Sequence, residues 1–412
     1  MEYSSKYSAR YASEYAAVQD GSRGRALLLP FEQPAGKFPA GHISGDIRWR
    51  EPPDGYSPET LLKKIIRPQV DADTIVPAEQ PRQAQFPHFP ASERPARPAP
   101  PKVSLQEEFP AAQSAYAAAS AFMKTLFIGA SRNRLELDGV QRVLKGIVDS
   151  LQRNPDALLS IPRLRGCGSY VCTHSLNVGI LMAAFAVHQG KTSGQTALAA
   201  VAGFLHDIGM ALLPLALLGS RKGLSNTEKV LVMRHPMLSC ELLAQAEKLG
   251  KDVFLAALDH HEHFDGSGYP NGKSKSGVSS VGQLTAIAGS YDAMSSNRPF
   301  RKALHPHKAL CAMFQMKGKQ FHPELLERFV RMVGVYPVGS VVELKDGYKG
   351  VVSASFANDP IHPVVVLVKD PRGNKMPRHE CDLGREGVAA IKRCLTPESA
   401  GIDPCQALGL AQ

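Results

Sequence analysis
His206 and Asp207 stand side by side in the middle of an otherwise apolar run, "LAAVAGFLHDIGMALLPLALLG" (198–219). By hydropathy alone the run is long enough to span a membrane. A central carboxylate is costly in lipid, however, and Pro214 interrupts the stretch. The competing reading is a buried helix of a globular domain, whose polar pair must be satisfied by partners elsewhere in the chain. Such partners recur at regular intervals. His174 lies in "YVCTHSLNVGILMAAF", His235 in "EKVLVMRHPMLSCELL", His260 and His261 in "AALDHHEHFDGSGYP", and Asp292 in "LTAIAGSYDAMSS". The intervals His174 to His206, Asp207 to His235, His235 to His260 and His261 to Asp292 are 32, 28, 25 and 31 positions. Each fits one helix plus a connection, so antiparallel helices can aim these side chains at a common point.

A single histidine on an apolar face is usually a satisfied core residue. Here successive segments bring together five of the 14 histidines and two aspartates, nearly all in apolar settings. Buried without a cation, several of these groups would lack partners, at about 1–3 kcal/mol each. Neutral imidazole and carboxylate are metal ligands, so a cation removes the conflict. Seven ligands exceed one tetrahedral zinc but suit two octahedral first-row ions with waters, and Asp207 is placed to bridge them. Two cations about 3.5–4 Å apart can generate hydroxide at neutral pH and clamp a phosphodiester for in-line attack.

Three stretches carry a family resemblance: "HDIG" at 206, "HHEHFDGSGYP" at 260–270 and "YDAMSSNRPFR" at 291–301. Together they resemble the HD-GYP branch of the HD phosphohydrolase superfamily over residues 145–338. The resemblance implies an all-helical domain that hydrolyses cyclic di-GMP to pGpG or GMP at a di- or trinuclear centre of iron, manganese or a similar metal. Carried over residue by residue, it implies His174, His206, Asp207, His235, His260, His261 and Asp292 as ligands, with His206 and Asp207 as the catalytic pair. Tyr269, Gly268 and Arg301 are the implied substrate contacts. Tyr269 would stack on guanine or bond a phosphate, and the Arg301 guanidinium suits a phosphodiester. The small residues of loop 264–271 leave room for a planar or anionic ligand. Glu262 and Asp265 are expected to orient the histidines or cap the loop. The "GYP" loop is also a docking surface for diguanylate cyclase (GGDEF) domains in the implied alternative, a catalytically weak regulator that binds cyclic di-GMP. A third reading is a phosphohydrolase acting on other nucleotides.

Three positions depart from the family pattern. Met210 stands where the motif has Lys, Gly289 where an Asp precedes the last ligand, and Tyr170 where members with a third metal have Glu. Tyr170 favours two cations over three, and Met210 removes a charge that would meet substrate phosphate.

The elements that must position these residues read as helical from about 111 to 333. Val140, Val143, Leu144, Ile147, Val148 and Leu151 share one face, and further helices are expected at 168–189, 195–213, 225–248, 251–261, 280–294, 306–317 and 322–334. After Pro337 the period changes to two. "SVVELKDGYKGVVSASF" reads as a hairpin around Asp-Gly, and a second pair of strands flanks "PRGN". The expected class is therefore mainly α: an HD-type helical bundle with a small C-terminal β appendage and a largely irregular N-terminal region. The expected divisions are an N-terminal region (1–110) with a Pro-rich linker (79–102), a helical connector (111–144), the phosphohydrolase domain (145–338), the β appendage (339–395) and a tail (396–412). The linker holds seven of the 31 prolines. The N-terminal region is compatible with a sensory or docking module and with disorder.

Composition sets the outer bounds. The 412 residues are 43% hydrophobic, with a net charge of +10 and a pI near 9.2. That balance favours an anionic partner, but the basic residues are scattered among acids, which argues against DNA. Seven scattered cysteines without a CxxC pair argue for a reducing compartment. No apolar stretch of signal-peptide length opens the sequence, so a cytoplasmic protein without a membrane span is expected.

Overall fold
The structure, a computed structural model, describes residues 101–164, 170–214, 217, 225–246, 249–297, 302–385 and 388–410. The N-terminal region through residue 100, with nearly all of the Pro-rich stretch, lies outside the described residues, as do Arg301 and Cys167.

The bundle begins with α1 (Leu105–Ser131), earlier than the expected connector. Ser104 accepts from the Glu107 amide while the Glu107 carboxylate accepts from the Ser104 amide. This reciprocal cap fixes the start, and Pro110 is carried inside the second turn at the loss of one backbone bond. α1 is not a spacer. Phe109, Ala112, Tyr116, Ala119, Met123 and Leu126 recur every three or four residues and are buried, packing on α2 (Val140–Arg153), α3 (Pro155–Leu164) and α4 (Tyr170–His188).

α4 and α5 (Ser193–Leu205) form the centre. They cross backbone to backbone: a Cβ on Gly203 would sit 2.5 Å from the Gly179 Cα. That approach brings the helix carrying His174 against the one that delivers His206. The expected helix 195–213 ends at Leu205, and Ile208–Leu212 forms a separate 3-10 turn. The expected helix 225–248 likewise breaks, into α6 (Asn226–Val232) and α7 (His235–Leu243). Both breaks fall at ligand candidates, where the chain must turn to aim a side chain inward. Tyr170–His188 and Ser193–Leu212 are long and apolar enough to cross a membrane by composition, and more than half of each is buried inside the bundle.

α8 (Lys251–Asp259), α9 (Ser280–Ser295), α10 (Pro306–Gln315) and α11 (Pro323–Val333) complete the helical layer. A five-stranded antiparallel sheet follows, in the order β4-β3-β2-β1-β5. β1 (Val341–Leu344) and β2 (Lys349–Ala354) form the expected hairpin, with Gly347 at φ 92° in its turn. β3 (Val364–Lys369) and β4 (Lys375–Asp382) flank the Pro-Arg-Gly-Asn turn. β5 (Ile391–Leu395) returns to the edge beside β1, where Lys392 and Arg393 pair with the buried Glu343. In the tail, Pro397–Ala400 and Pro404–Leu408 are short helices capped by Thr396 and Asp403. One continuous cluster of buried apolar side chains runs from Leu105 through the bundle to Val365 and Leu410. Bundle and sheet therefore share a core. Among the described residues six cysteines carry no disulfide.

Candidate metal centre
The candidate ligands enter from helix ends, where backbone carbonyls lack intrahelical donors. His206 caps α5, His235 opens α7 and His260 caps α8. Each gives its Nδ1 hydrogen to the carbonyl three residues back: His206 to Gly203 at 2.7 Å, His235 to Val232 at 2.7 Å and His260 to Ala257 at 2.8 Å. A carbonyl only accepts, so Nδ1 carries the hydrogen and Nε2 presents a bare lone pair. His174, within α4, is held in the same sense by the Asp292 carboxylate, whose Oδ2 lies 2.7 Å from Nδ1.

All four Nε2 atoms surround Asp207. Those of His235 and His260 are 3.1 and 3.2 Å from its Oδ1, and those of His206 and His174 are 3.4 and 3.7 Å from its Oδ2. Asp207 Oδ1 is buried and accepts no hydrogen bond. Protonation does not relieve the contacts of His206 and His260, because burial opposes their charged form: it pushes His206 down to about 3 and lowers His260, as it does the neighbouring His261. The donor set is therefore acceptors facing acceptors, and a cation fits it. Two overlapping groups have ligand atoms within 4.8 Å of one another: Asp207 with His235, His260 and His261, and Asp207 with His174 and His206. Asp207 belongs to both, as a bridging carboxylate would.

Asp292 stands one step back from these groups. Its Oδ2 meets His174, and its Oδ1 accepts from Asn177 Nδ2 at 2.7 Å and Ser296 Oγ at 3.0 Å. Asp292, expected as a seventh ligand, lies outside both groups, and its carboxylate contacts the His174 ring on the side away from Asp207. The "HDIG" turn is tied to α7 through Ser239, whose Oγ accepts from the Gly209 amide at 2.9 Å and donates to the His206 carbonyl at 3.0 Å.

The "GYP" loop closes one side of the cluster. Tyr269 stacks on His261, with ring centroids 4.6 Å apart and planes at 16°. Gly268 serves the loop rather than opening space for a ligand. A Cβ there would run into the His263 amide and the His261 carbonyl. Glu262 caps the loop, accepting from the Asn271 and Lys273 amides at 2.7 and 2.9 Å, and Asp265 accepts from the Ser267 amide at 2.9 Å. Sequence reasoning missed Asp259. It is buried and takes Lys273 Nζ at 2.7 Å and the Ser279 amide at 3.0 Å, tying the segment that follows the loop to the end of α8. The signal available was its place directly before the paired histidines.

The departures from the family pattern fall around the same point. Tyr170 stacks on His174 with centroids 5.7 Å apart. Gly289 faces open space, where a Cβ would meet only His174 Nε2, at 3.9 Å. Met210 is half-buried on the 3-10 turn, its amide on the Asp207 carbonyl at 2.9 Å. Arg301 lies outside the described residues.

Comparison with known proteins agrees with this architecture. Residues 159–325 match the family model described as an HD domain. The chain is 32% identical over 315 residues to "Cyclic di-GMP phosphodiesterase PA4108" of Pseudomonas aeruginosa, covering 76% of this chain and 74% of that protein. This chain belongs to the HD-GYP family. It is also similar to "Cyclic di-GMP phosphodiesterase PdeB" of Borreliella burgdorferi, at 25% identity over 45% of this chain and 48% of the relative. Among solved structures it matches Bd1817, a HDG"Y"P protein from Bdellovibrio bacteriovorus. The identity there is 17% and the TM-score 0.45, over 53% of this chain and 70% of that one.

Proposed function
We propose that this HD-GYP protein is a metal-dependent phosphodiesterase that hydrolyses cyclic di-GMP to linear pGpG, GMP or both. The observation that carries the reading is the ring of four bare Nε2 atoms around Asp207, in which every Nδ1 is already committed elsewhere. His174 and His206 would hold one divalent cation, His235, His260 and His261 a second, and Asp207 would be shared between them. Iron or manganese suits this mixed imidazole and carboxylate set. When bound, the pair supplies a hydroxide at neutral pH and charge to oppose that developing on the non-bridging oxygens.

The chain's own residues do the rest. The backbone carbonyls at 203, 232 and 257 fix the tautomer and the aim of the histidines. Asp292 does the same for His174. Tyr269, stacked on His261 and fixed by the capped loop, offers a flat ring at the mouth of the cluster on which a guanine can lie. The names of the similar proteins support cyclic di-GMP as the substrate class. A cytoplasmic location accords with the reduced cysteines.

A second reading has a specific observation in its favour. Met210, beside Asp207, brings neither charge nor proton. It supports a protein that binds cyclic di-GMP with little turnover and signals through contact, for example with a diguanylate cyclase domain at the "GYP" loop. Incubating the purified protein with manganese or ferrous iron and cyclic di-GMP, then chromatographing for pGpG and GMP, tests both. Turnover supports the enzyme. Intact nucleotide binding without turnover at high protein concentration overturns it in favour of the regulator.

A further inference from the structure
Helix α1 reaches the metal centre through a buried chain of hydrogen bonds. Tyr116 Oη donates to Asn177 Oδ1 at 2.9 Å, Asn177 Nδ2 donates to Asp292 Oδ1 at 2.7 Å, and Asp292 Oδ2 meets His174 Nδ1 at 2.7 Å. His174 Nε2 then faces Asp207 Oδ2 at 3.7 Å. All four residues are buried. Tyr116 lies outside the residues that match the HD-domain model, on a helix that carries none of the candidate ligands.

The direction of this chain is set by chemistry. A side-chain amide can turn either its oxygen or its nitrogen toward a neighbour. Asn177 must present nitrogen to Asp292, because its oxygen against a carboxylate would repel. The Tyr116 hydroxyl, donating to the amide oxygen, locks that choice. The locked amide fixes the Asp292 carboxylate, and the carboxylate fixes the plane of the His174 ring. Apolar residues of similar volume would fill the same space in a core made mostly of Leu, Ala and Val. Buried polar groups are stable there only as a fully connected set.

We propose that Tyr116 and Asn177 are positioning residues of the metal centre, holding His174 toward its cation through Asp292. The proposal rests on reading the cluster as a metal centre. It adds a point of control from α1, the helix that follows the N-terminal region.

The test uses the full chain, stripped of metal and titrated with cobalt(II) while the visible absorption of the bound ion is followed. Tyr116→Phe removes one oxygen and keeps the ring, and Asn177→Ala breaks the chain at its middle. Both are expected to weaken cobalt binding about tenfold, the lower end of the range for residues that orient ligands, and to shift the absorption bands. Met123→Val, on the same helix and buried in the same core, serves as the control. It should lower the melting temperature and leave the cobalt affinity and spectrum unchanged. Wild-type affinity and spectrum in Tyr116→Phe and Asn177→Ala would overturn the proposal. So would changes that Met123→Val reproduces at equal loss of melting temperature. A wild-type chain that takes up no cobalt overturns the metal-centre reading and this proposal with it. Normal cobalt uptake without cleavage of cyclic di-GMP counts only against the enzymatic reading.

Discussion
His235 and His260 meet Nε2 to Nε2 at 3.0 Å, although each has already given its Nδ1 hydrogen to a backbone carbonyl. Two lone pairs face one another, and Asp207 Oδ1 lies within 3.2 Å of both. Without a cation this contact is repulsive, in a buried setting where screening is weak. With a shared cation the same geometry becomes attractive. The relationship is the physical reason to expect metal binding and folding to be coupled here.

Metal removal should therefore destabilise the protein measurably. Ligand that binds only the folded state adds about 2.7 kcal/mol at a hundredfold excess over its Kd. Chelation is expected to lower the melting temperature by several degrees, and added manganese should restore it. Asp207→Ala, which removes the bridge, should abolish the manganese response. Metal analysis of that variant checks the site directly, since retention of two ions per chain would refute a centre built on Asp207.

Acid should act on the same groups. Burial pushes His206 down to about 3 and lowers His260 and His261, whereas an unfolded histidine titrates near ~6.5. Between those values the unfolded chain binds protons that the folded chain does not, so stability falls as pH falls across that window. Above it the contribution is complete and level. Melting of the metal-free protein at constant ionic strength should be flat near neutrality and decline below about pH 6.5. Metal affinity should weaken in parallel, because protons compete for Nε2. A melting temperature that rises on acidification would contradict the burial of neutral imidazoles.

The candidate ligand cluster was legible because its residue types are rare in apolar helices and recur at helix-plus-loop intervals. His174, His206, Asp207, His235, His260 and His261 come together as that pattern implies. The helix breaks at His206 and at Met233–Arg234 were not legible. The apolar pattern runs straight through the first, and the turn there is imposed by aiming a ligand rather than by Gly or Pro. Asp292 reads in sequence like another ligand, and only its distances to His174 and Asn177 give it a place behind the ring. Tyr116 sits in an Ala-rich helix and looks like ordinary core, since nothing in sequence links it to Asn177, 61 positions away. Asp259 was hidden because its partners, the Lys273 ammonium and the Ser279 amide, lie 14 and 20 positions on and leave no residue-type pattern. Gly268 was singled out for substrate, and only the structure shows how closely the loop backbone packs around it.

Gly268 gives a clean separation of metal binding from substrate binding. Gly268→Ala adds one carbon where the His261 carbonyl and His263 amide already sit, so the loop must move and carry Tyr269 with it. His206, His235 and His260 are held by carbonyls at 203, 232 and 257 and do not depend on the loop for their aim, while His261 packs directly on it. Metal content should stay near wild type, while KM for cyclic di-GMP rises about tenfold, the equivalent of roughly 1.4 kcal/mol. Loss of metal in this variant would show that the loop supports the ligands as well.

Met210 is the position at which the catalytic strength of the proposed centre can be tested. It lies on the turn that follows Asp207 and is half-buried. Lysine at that position would bring an ammonium to the phosphate at the cluster. A hydrogen bond to a charged group contributes roughly 1.5–3 kcal/mol, and a rate changes tenfold for each 1.36 kcal/mol. Met210→Lys is therefore expected to raise kcat roughly 10–100-fold with unchanged metal content, measured as pGpG formed per chain. If the wild type binds cyclic di-GMP without cleaving it and the variant cleaves, the natural protein is a regulator whose metal centre lacks one cation near the substrate. If the wild type cleaves and lysine changes nothing, the leaving group is handled by another residue, and the methionine is no handicap.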